Sequence, residues 1–250
     1  MQRLGACRWR ACLALAALAL AAAIAPAVAV AARATVFAAA SLTEVFTRIE
    51  TAARFDFAGS DTLAFQIAQG APADVFAAAS PRYPEELFGR GLVLRPRVFA
   101  TNSLVLIVPR SNPARIAAVG DIAAPGVKLV IGDAAVPIGA YTRTVLRNLH
   151  LGGALSNVVS NEQDVKSVLA KVALGEADAG FVYRTDARSA GSKVRVLRLP
   201  ARAQPTVDYE IAVVRASRDR AAARAFVARV LGPAGRRLLR AAGFGLPRAP

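Results

Sequence analysis

The sequence predicts an α/β protein of two lobes, each a mostly parallel sheet flanked by helices, with a ligand cleft between them. Three observations predict it. Apolar runs that read as strands alternate with helical patterns along most of the chain. Those strand runs are apolar on both faces, as in a sheet covered by helices on each side. The 250 residues suffice for two lobes of about a hundred residues each.

The first 32 residues read differently from the rest. Arg3, Arg8 and Arg10 precede an almost unbroken Ala/Leu run from Ala11 to Ile24, followed by small residues around Ala27–Ala29 and Ala31–Ala32. That order is the basic, apolar and small-residue order of a secretory signal peptide, assigned here to residues 1–32. The apolar run is short for a membrane span. Cleavage removes Cys7 and Cys12, the only cysteines, so the exported chain is expected to have no disulfide, no thiol and no lipid anchor. The address expected is the periplasm.

Of the 32 basic residues three fall in that leader, leaving 29 against 17 acidic ones, a net +12. The balance favours anionic partners. The arginines are scattered, however, with no dense basic run and few interleaved aromatics, which argues against nucleic acid. High Arg with high Ala also matches a GC-rich coding bias.

Taken in order, Ala34–Ala40 is an apolar strand that runs directly into Ser41 and a helical pattern. Ser41-Leu-Thr-Glu44 fits a capping box, which makes Ser41 an N-cap, and Val45, Ile49 and Ala52 come next at helical spacing. Phe55–Ala58 is a second strand, and Gly59-Ser60-Asp61-Thr62 opens a second helix through Leu63 and Ile67. Gly70-Ala-Pro72 stops it. Ala73–Ala79 is a third buried strand, with a short helix over Glu85–Phe88. Thr101–Pro109 is the longest β-branched run and reads as a central or crossing strand. Val127–Gly132 is a strand, 133–139 a loop and 140–149 a helix, with Pro137 placed where a helix start needs no donor. Asn161–Asp164 leads into a helix with Val165, Val168, Leu169 and Val172 on one face, ended by Gly175. Ala179–Tyr183, Val194–Leu199 and Tyr209–Val214 are strands, Asp186 caps the segment after Tyr183, and the chain is helical and basic from Arg218, broken at Gly232-Pro233.

Four turns of one kind recur: Ser41, Ser60, the Pro137-Ile138-Gly139 loop, and Asp164-Val165, each where a helix begins, with Tyr183 at a strand end. A helix start carries unpaired N–H groups and a partial positive charge, so it accepts anions. In open α/β sheets ligands collect at such turns, outside the carboxyl ends of the strands. Two turns come from each half, which places a site between lobes. Hydroxyls and helix-start amides without Lys or Arg suit a small, fully ionised oxyanion. Serines at such positions also serve simply as caps, Tyr183 also reads as a strand-end aromatic, and only the backbone of Val165 has donor chemistry.

Seven blocks resemble, in order and spacing, the periplasmic molybdate-binding proteins of ABC importers. They are Ala38–Thr43, Ala58–Leu63 with Gln66-Ile67 and Gly70–Asp74, Asn102–Val105, Ile131–Asp133 with Val136–Tyr141, Glu162–Val165, Gly180–Asp186, and Gly243-Phe244. The resemblance implies a class II periplasmic-binding-protein fold that closes on molybdate or tungstate and presents it to an inner-membrane ABC permease. It implies lobe I from residues 33–101 and 206–250 and lobe II from 102–205, hinged near Ala100–Ser103 and Arg202–Val207. It implies anion contacts at Ser41 and Ser60 through hydroxyl and N–H, at Ile138 and Val165 through N–H, and at Tyr183 through its phenol. Molybdenum then enters only as the oxyanion, with no cofactor, no protein–metal bond and a monomeric receptor. Three features depart from that pattern. The Ser41–Ser60 segment is shorter by roughly two helical turns. Asp61 stands beside a ligand serine and is expected to point away and cap the next helix. Ile138 is bulkier than the small residue usual there.

Two other readings compete. Another small oxyanion, such as sulfate, uses the same donors. An exported enzyme on the same fold needs a general base near the cleft, for which Asp61 is the candidate. His150, the sole histidine, is read as structural, which leaves no His-based metal or triad site, and no nucleophile elbow or phosphate-binding loop is present. Asp74, Asp133, Asp178 and Asp186 are assigned to turns and caps.

Overall fold

The structure, a computed structural model, describes residues 33–247. The signal-peptide reading of residues 1–32 lies outside them. Ten strands form two five-stranded sheets. The first contains β1 (Thr35–Ala39), β2 (Arg54–Ala58), β3 (Val75–Ala78), β4 (Arg97–Asn102) and β10 (Val207–Val213), in the order β2-β1-β3-β10-β4. The second contains β5 (Leu104–Pro109), β6 (Leu129–Gly132), β7 (Val158–Glu162), β8 (Ala179–Tyr183) and β9 (Val194–Arg198), in the order β7-β6-β8-β5-β9.

Each sheet is mixed. Strands β2-β1-β3 and β7-β6-β8 pair in parallel, as helical crossovers require. Strand β10 runs antiparallel to β3 and β4, and β5 runs antiparallel to β8 and β9. These are the strands by which the chain arrives from the other sheet, so no crossover helix fixes their direction. The long 101–109 run does cross: it breaks at Ser103, whose N–H donates to the Asn102 side-chain carbonyl at 3.0 Å, and β5 continues as six fully buried residues. The return crossing joins β9 to β10.

Eight helices of the described residues cover the sheets: α1 (Thr43–Ile49), α2 (Ser60–Ala68), α3 (Arg82–Gly89), α4 (Pro137–Asn148), α5 (Val165–Leu174), α6 (Arg184–Ala190), α7 (Arg220–Leu231) and α8 (Pro233–Ala242). The strand period of two sorts the first sheet's side chains between its faces. Val36, Ala38, Val75 and Ala77 share a core with Phe46, Phe226 and Leu239, whereas Phe37, Phe76 and Ala78 share one with Leu63, Ile67 and Leu87. At seven residues α1 is too short to stand alone. Packing holds it: buried Phe46 meets Phe226 edge-on at 5.4 Å and Phe99 at 5.8 Å. Truncating such a ring costs about 3–5 kcal/mol.

Several boundaries differ from the sequence reading. Helix α4 begins at Pro137 rather than at residue 140, because proline at the first helical position carries the helix back into the expected loop. Val158–Glu162, whose last two residues overlap the Asn161–Asp164 lead into the helix, form edge strand β7; its residues VVSNE show no apolar/polar alternation by which the sequence would mark a strand. No helix among the described residues is long and apolar enough to cross a membrane.

Candidate functional site

The four turns and Tyr183 converge. One small cavity is lined by Ala39–Ser41, Ala58–Ser60, Val136–Ile138, Asp164-Val165 and Tyr183, and encloses about 210 Å³ of atom-free space, its mouth included. All five expected contact residues therefore border one space, two from the first sheet's turns and three from the second's. No Lys or Arg lines it.

Each turn delivers its donor for a local reason. Ser41 sits inside a tight 3-10 turn, Ala40–Leu42, between β1 and α1. It does not cap: α1 has no side-chain cap, and Glu44 reaches across the cleft to the Lys166 ammonium at 2.7 Å instead of back to the turn. The charge-assisted tertiary bond displaces the capping box because it offers more than a neutral backbone partner. The Ser41 hydroxyl, buried, meets the Tyr209 hydroxyl at 2.9 Å.

Ser60 is the first residue of α2, after Gly59. Its oxygen accepts the N–H of Ala79 at 3.1 Å, which leaves its proton for a guest. Ile138 is the second residue of α4, a helix start without a side-chain cap. Its bulk finds room against Gly132: a Cβ there would lie 2.7 Å from an Ile138 methyl. Val165 opens α5. Asp164 caps that helix by accepting from the N–H groups of Lys166 at 2.7 Å and Ser167 at 3.0 Å, so the Val165 N–H is the donor of that turn the cap does not take.

Tyr183 ends β8. Its hydroxyl is wholly buried and has no hydrogen-bond partner. Burial, then the neighbouring Tyr209 and Tyr141 rings and Asp186, pushes its phenol well above the ordinary tyrosine range, so it stays a neutral donor. A buried hydroxyl left unpaired costs about 1–3 kcal/mol, a cost that a bound acceptor removes.

Asp61 stands outside the lining. It lies in the first turn of α2, where the helix dipole favours a carboxylate, but it caps nothing. One oxygen folds back toward Gly59 and is buried without a partner. Asp74, Asp133 and Asp178 accept backbone N–H groups as the sequence reading has them. Asp186 does not cap: it is buried within α6 and pairs with Lys166 at 2.9 Å. Burial drives its carboxyl up to about 6 against the pull of that ammonium.

The two sheets' turns meet tightly around the cavity. The Tyr83 hydroxyl, from α3, donates to the carbonyl of Ala135. Lys166 joins Glu44 of α1 to Asp186 of α6. A Cβ on Gly59 would lie 2.4 Å from the carbonyl oxygen of Gln163. Sequence reasoning missed Tyr209, which meets Ser41 from a distant strand, Asn102, which bonds Tyr209, and Lys166, which joins Glu44 to Asp186.

Two α/β lobes joined by two strand crossings, with a small cavity between their turns, define a two-lobed binding protein. The sequence profile of bacterial extracellular solute-binding proteins matches residues 18–245, and the chain belongs to that family. It is 41% identical over 224 residues to the molybdate-binding protein ModA of Mycobacterium tuberculosis, covering 85% of this chain and 84% of that one. Among solved structures it is similar to the substrate-binding domain of a putative molybdenum ABC transporter from Clostridium difficile, at 30% identity and TM-score 0.64, covering 86% of this chain and 99% of that one. It also shares its fold with the Azotobacter vinelandii periplasmic molybdate-binding protein, at TM-score 0.76 and 24% identity, covering 86% of this chain and 100% of that one.

Proposed function

We propose that this protein is the exported receptor of an ABC importer. It captures molybdate, or tungstate, between its lobes in the periplasm and delivers it to an inner-membrane permease. The observation that carries the reading is the unpartnered, buried hydroxyl of Tyr183 in a cavity bordered by Ser41, Ser60 and the starts of α4 and α5. Three hydroxyls and the amides of Ser41, Ser60, Ile138 and Val165 surround one tetrahedral dianion. Each charge-assisted bond contributes about 1.5–3 kcal/mol, so six or seven reach micromolar affinity or better after association costs. Lobe I takes residues 33–101 and 206–250 and lobe II residues 102–205; the receptor works as a monomer, without cofactor or catalysis. The likeness to molybdate-binding relatives supports this choice of anion.

Calorimetric titration of the exported chain tests it. Molybdate and tungstate are expected to bind with heat and to raise Tm, and sulfate to bind far more weakly. Sulfate binding as tight as molybdate assigns the cavity to the smaller anion. Absence of heat with all three overturns the reading. Tighter molybdate binding by Asp61→Ser fits a receptor in which that carboxylate merely repels, whereas a catalysed turnover lost in the same variant would establish the enzyme.

A further inference from the structure

Tyr209 takes no part in the contacts proposed above, yet it is fully buried against them. Its ring lies 5.8 Å from that of Tyr183, without hydrogen-bond geometry between the two hydroxyls. Its hydroxyl meets Ser41 at 2.9 Å and the Asn102 side-chain amide nitrogen at 3.3 Å. The same nitrogen donates to the Thr185 hydroxyl at 2.9 Å.

The direction of this chain is settled at its far end. The N–H of Ser103 can only donate, and it donates to the Asn102 side-chain oxygen at 3.0 Å. That contact fixes which way the amide faces, so both protons of its nitrogen point to Thr185 and Tyr209. The Tyr209 oxygen therefore accepts from Asn102, and among the described residues Ser41 is the one acceptor that its own proton meets with hydrogen-bond geometry. Burial keeps that phenol neutral. Ser41, supplied by Tyr209, has one proton left and makes no other protein bond, and it borders the cavity. Ser60 repeats the logic with the Ala79 N–H as its supplier.

We propose that Tyr209, held by Asn102, is a positioning residue that fixes Ser41 as a donor and so makes the site prefer a fully ionised oxyanion to a singly protonated one. The inference rests on the oxyanion reading above. An anion that carries its own proton needs an acceptor, and a serine oxygen that already receives a protein proton has one lone pair fewer to offer it. The relay also runs from the strand crossing at Asn102 to the cavity, so the donor is set by the segment on which the lobes pivot.

A double-mutant cycle tests the proposal, with molybdate titrated at pH 7.5 into wild type, Ser41→Ala, Tyr209→Phe and the double variant. The neutral bond from Tyr209 predicts that Tyr209→Phe weakens binding about 3- to 10-fold. In the Ser41→Ala background it is expected to change Kd by less than twofold, because Tyr209 acts through Ser41. At pH 8.5, where inorganic phosphate is the singly protonated dianion, the ratio of phosphate Kd to molybdate Kd is expected to narrow at least threefold in Tyr209→Phe. An equal loss in both backgrounds with an unchanged ratio overturns the proposal, since that is what a purely structural role gives. Should Tyr209→Phe not fold, Asn102→Ala frees the same relay and is expected to narrow the same ratio; an unchanged ratio there is equally fatal. Failure of wild type to bind any oxyanion sinks the function itself, whereas an additive cycle in a wild type that binds sinks only the relay.

Discussion

At Tyr183 function and stability pull in opposite directions. Its hydroxyl is buried without a partner, so the unliganded fold gains nothing from it. Tyr183→Phe is therefore expected to leave the unliganded Tm unchanged or raised while weakening molybdate binding about 10- to 150-fold, the worth of one bond to a charged acceptor. A fall in unliganded Tm would show that the hydroxyl serves the fold instead. Glu210 gives a second test, through pH. Burial, then Glu85 and Asp208, pushes its carboxyl from an ordinary 4.5 up to about 7. The native state holds a proton that the unfolded chain releases near 4.5, so the stability this contributes is complete below that pH and lost as pH rises through 7. Glu210→Gln keeps the shape without the charge. Its Tm is expected to exceed wild type at pH 8 and to match it at pH 5, and an equal gain at both values contradicts the assignment.

Elements carry these residues to the cavity, and most of the elements are legible in the sequence. Ser60, Ile138 and Val165 stand out there because their helix starts are written locally: a glycine before Ser60, a proline ahead of Ile138, and Asp164 capping α5. The capping box at Ser41 misleads because Glu44 has a better partner 122 residues away in Lys166. Tyr209 is not legible at all. Nothing in the alternation of β10 marks which buried tyrosine meets a serine 168 residues distant. The mixed pairing of both sheets is hidden for a related reason, since strand direction at β5 and β10 is set by crossings between sheets and not by local pattern. Gly59, before α2, makes the element-scale prediction. Its φ of −59° suits alanine, yet the added methyl would stand 2.4 Å from the Gln163 carbonyl across the cleft. Gly59→Ala is expected to fold with a near-normal Tm but to bind molybdate at least tenfold more weakly, because the turns can no longer meet. Wild-type affinity in that variant would mean that this close approach is not needed.

For the whole molecule, two sheets with separate strand orders but shared crossings fit the proposal that a pair of lobes turns on the segments Ala100–Ser103 and Arg202–Val207. The ties between the two sheets' turns, from Tyr83 to Ala135 and from Lys166 to Glu44, adjoin the lining residues Val136 and Val165. An exposed ion pair of this kind contributes about 0–1 kcal/mol, too little to shut the lobes alone. On that proposal closure draws on the anion itself, which would bind donors of both lobes only when they meet. The most direct measurement is the anomalous scattering of molybdenum in a crystal of the exported chain grown with molybdate. A single peak within hydrogen-bond reach of the Ser41, Ser60 and Tyr183 hydroxyls is the predicted result. A peak elsewhere, with these three hydroxyls facing only water or protein, contradicts a shared oxyanion site.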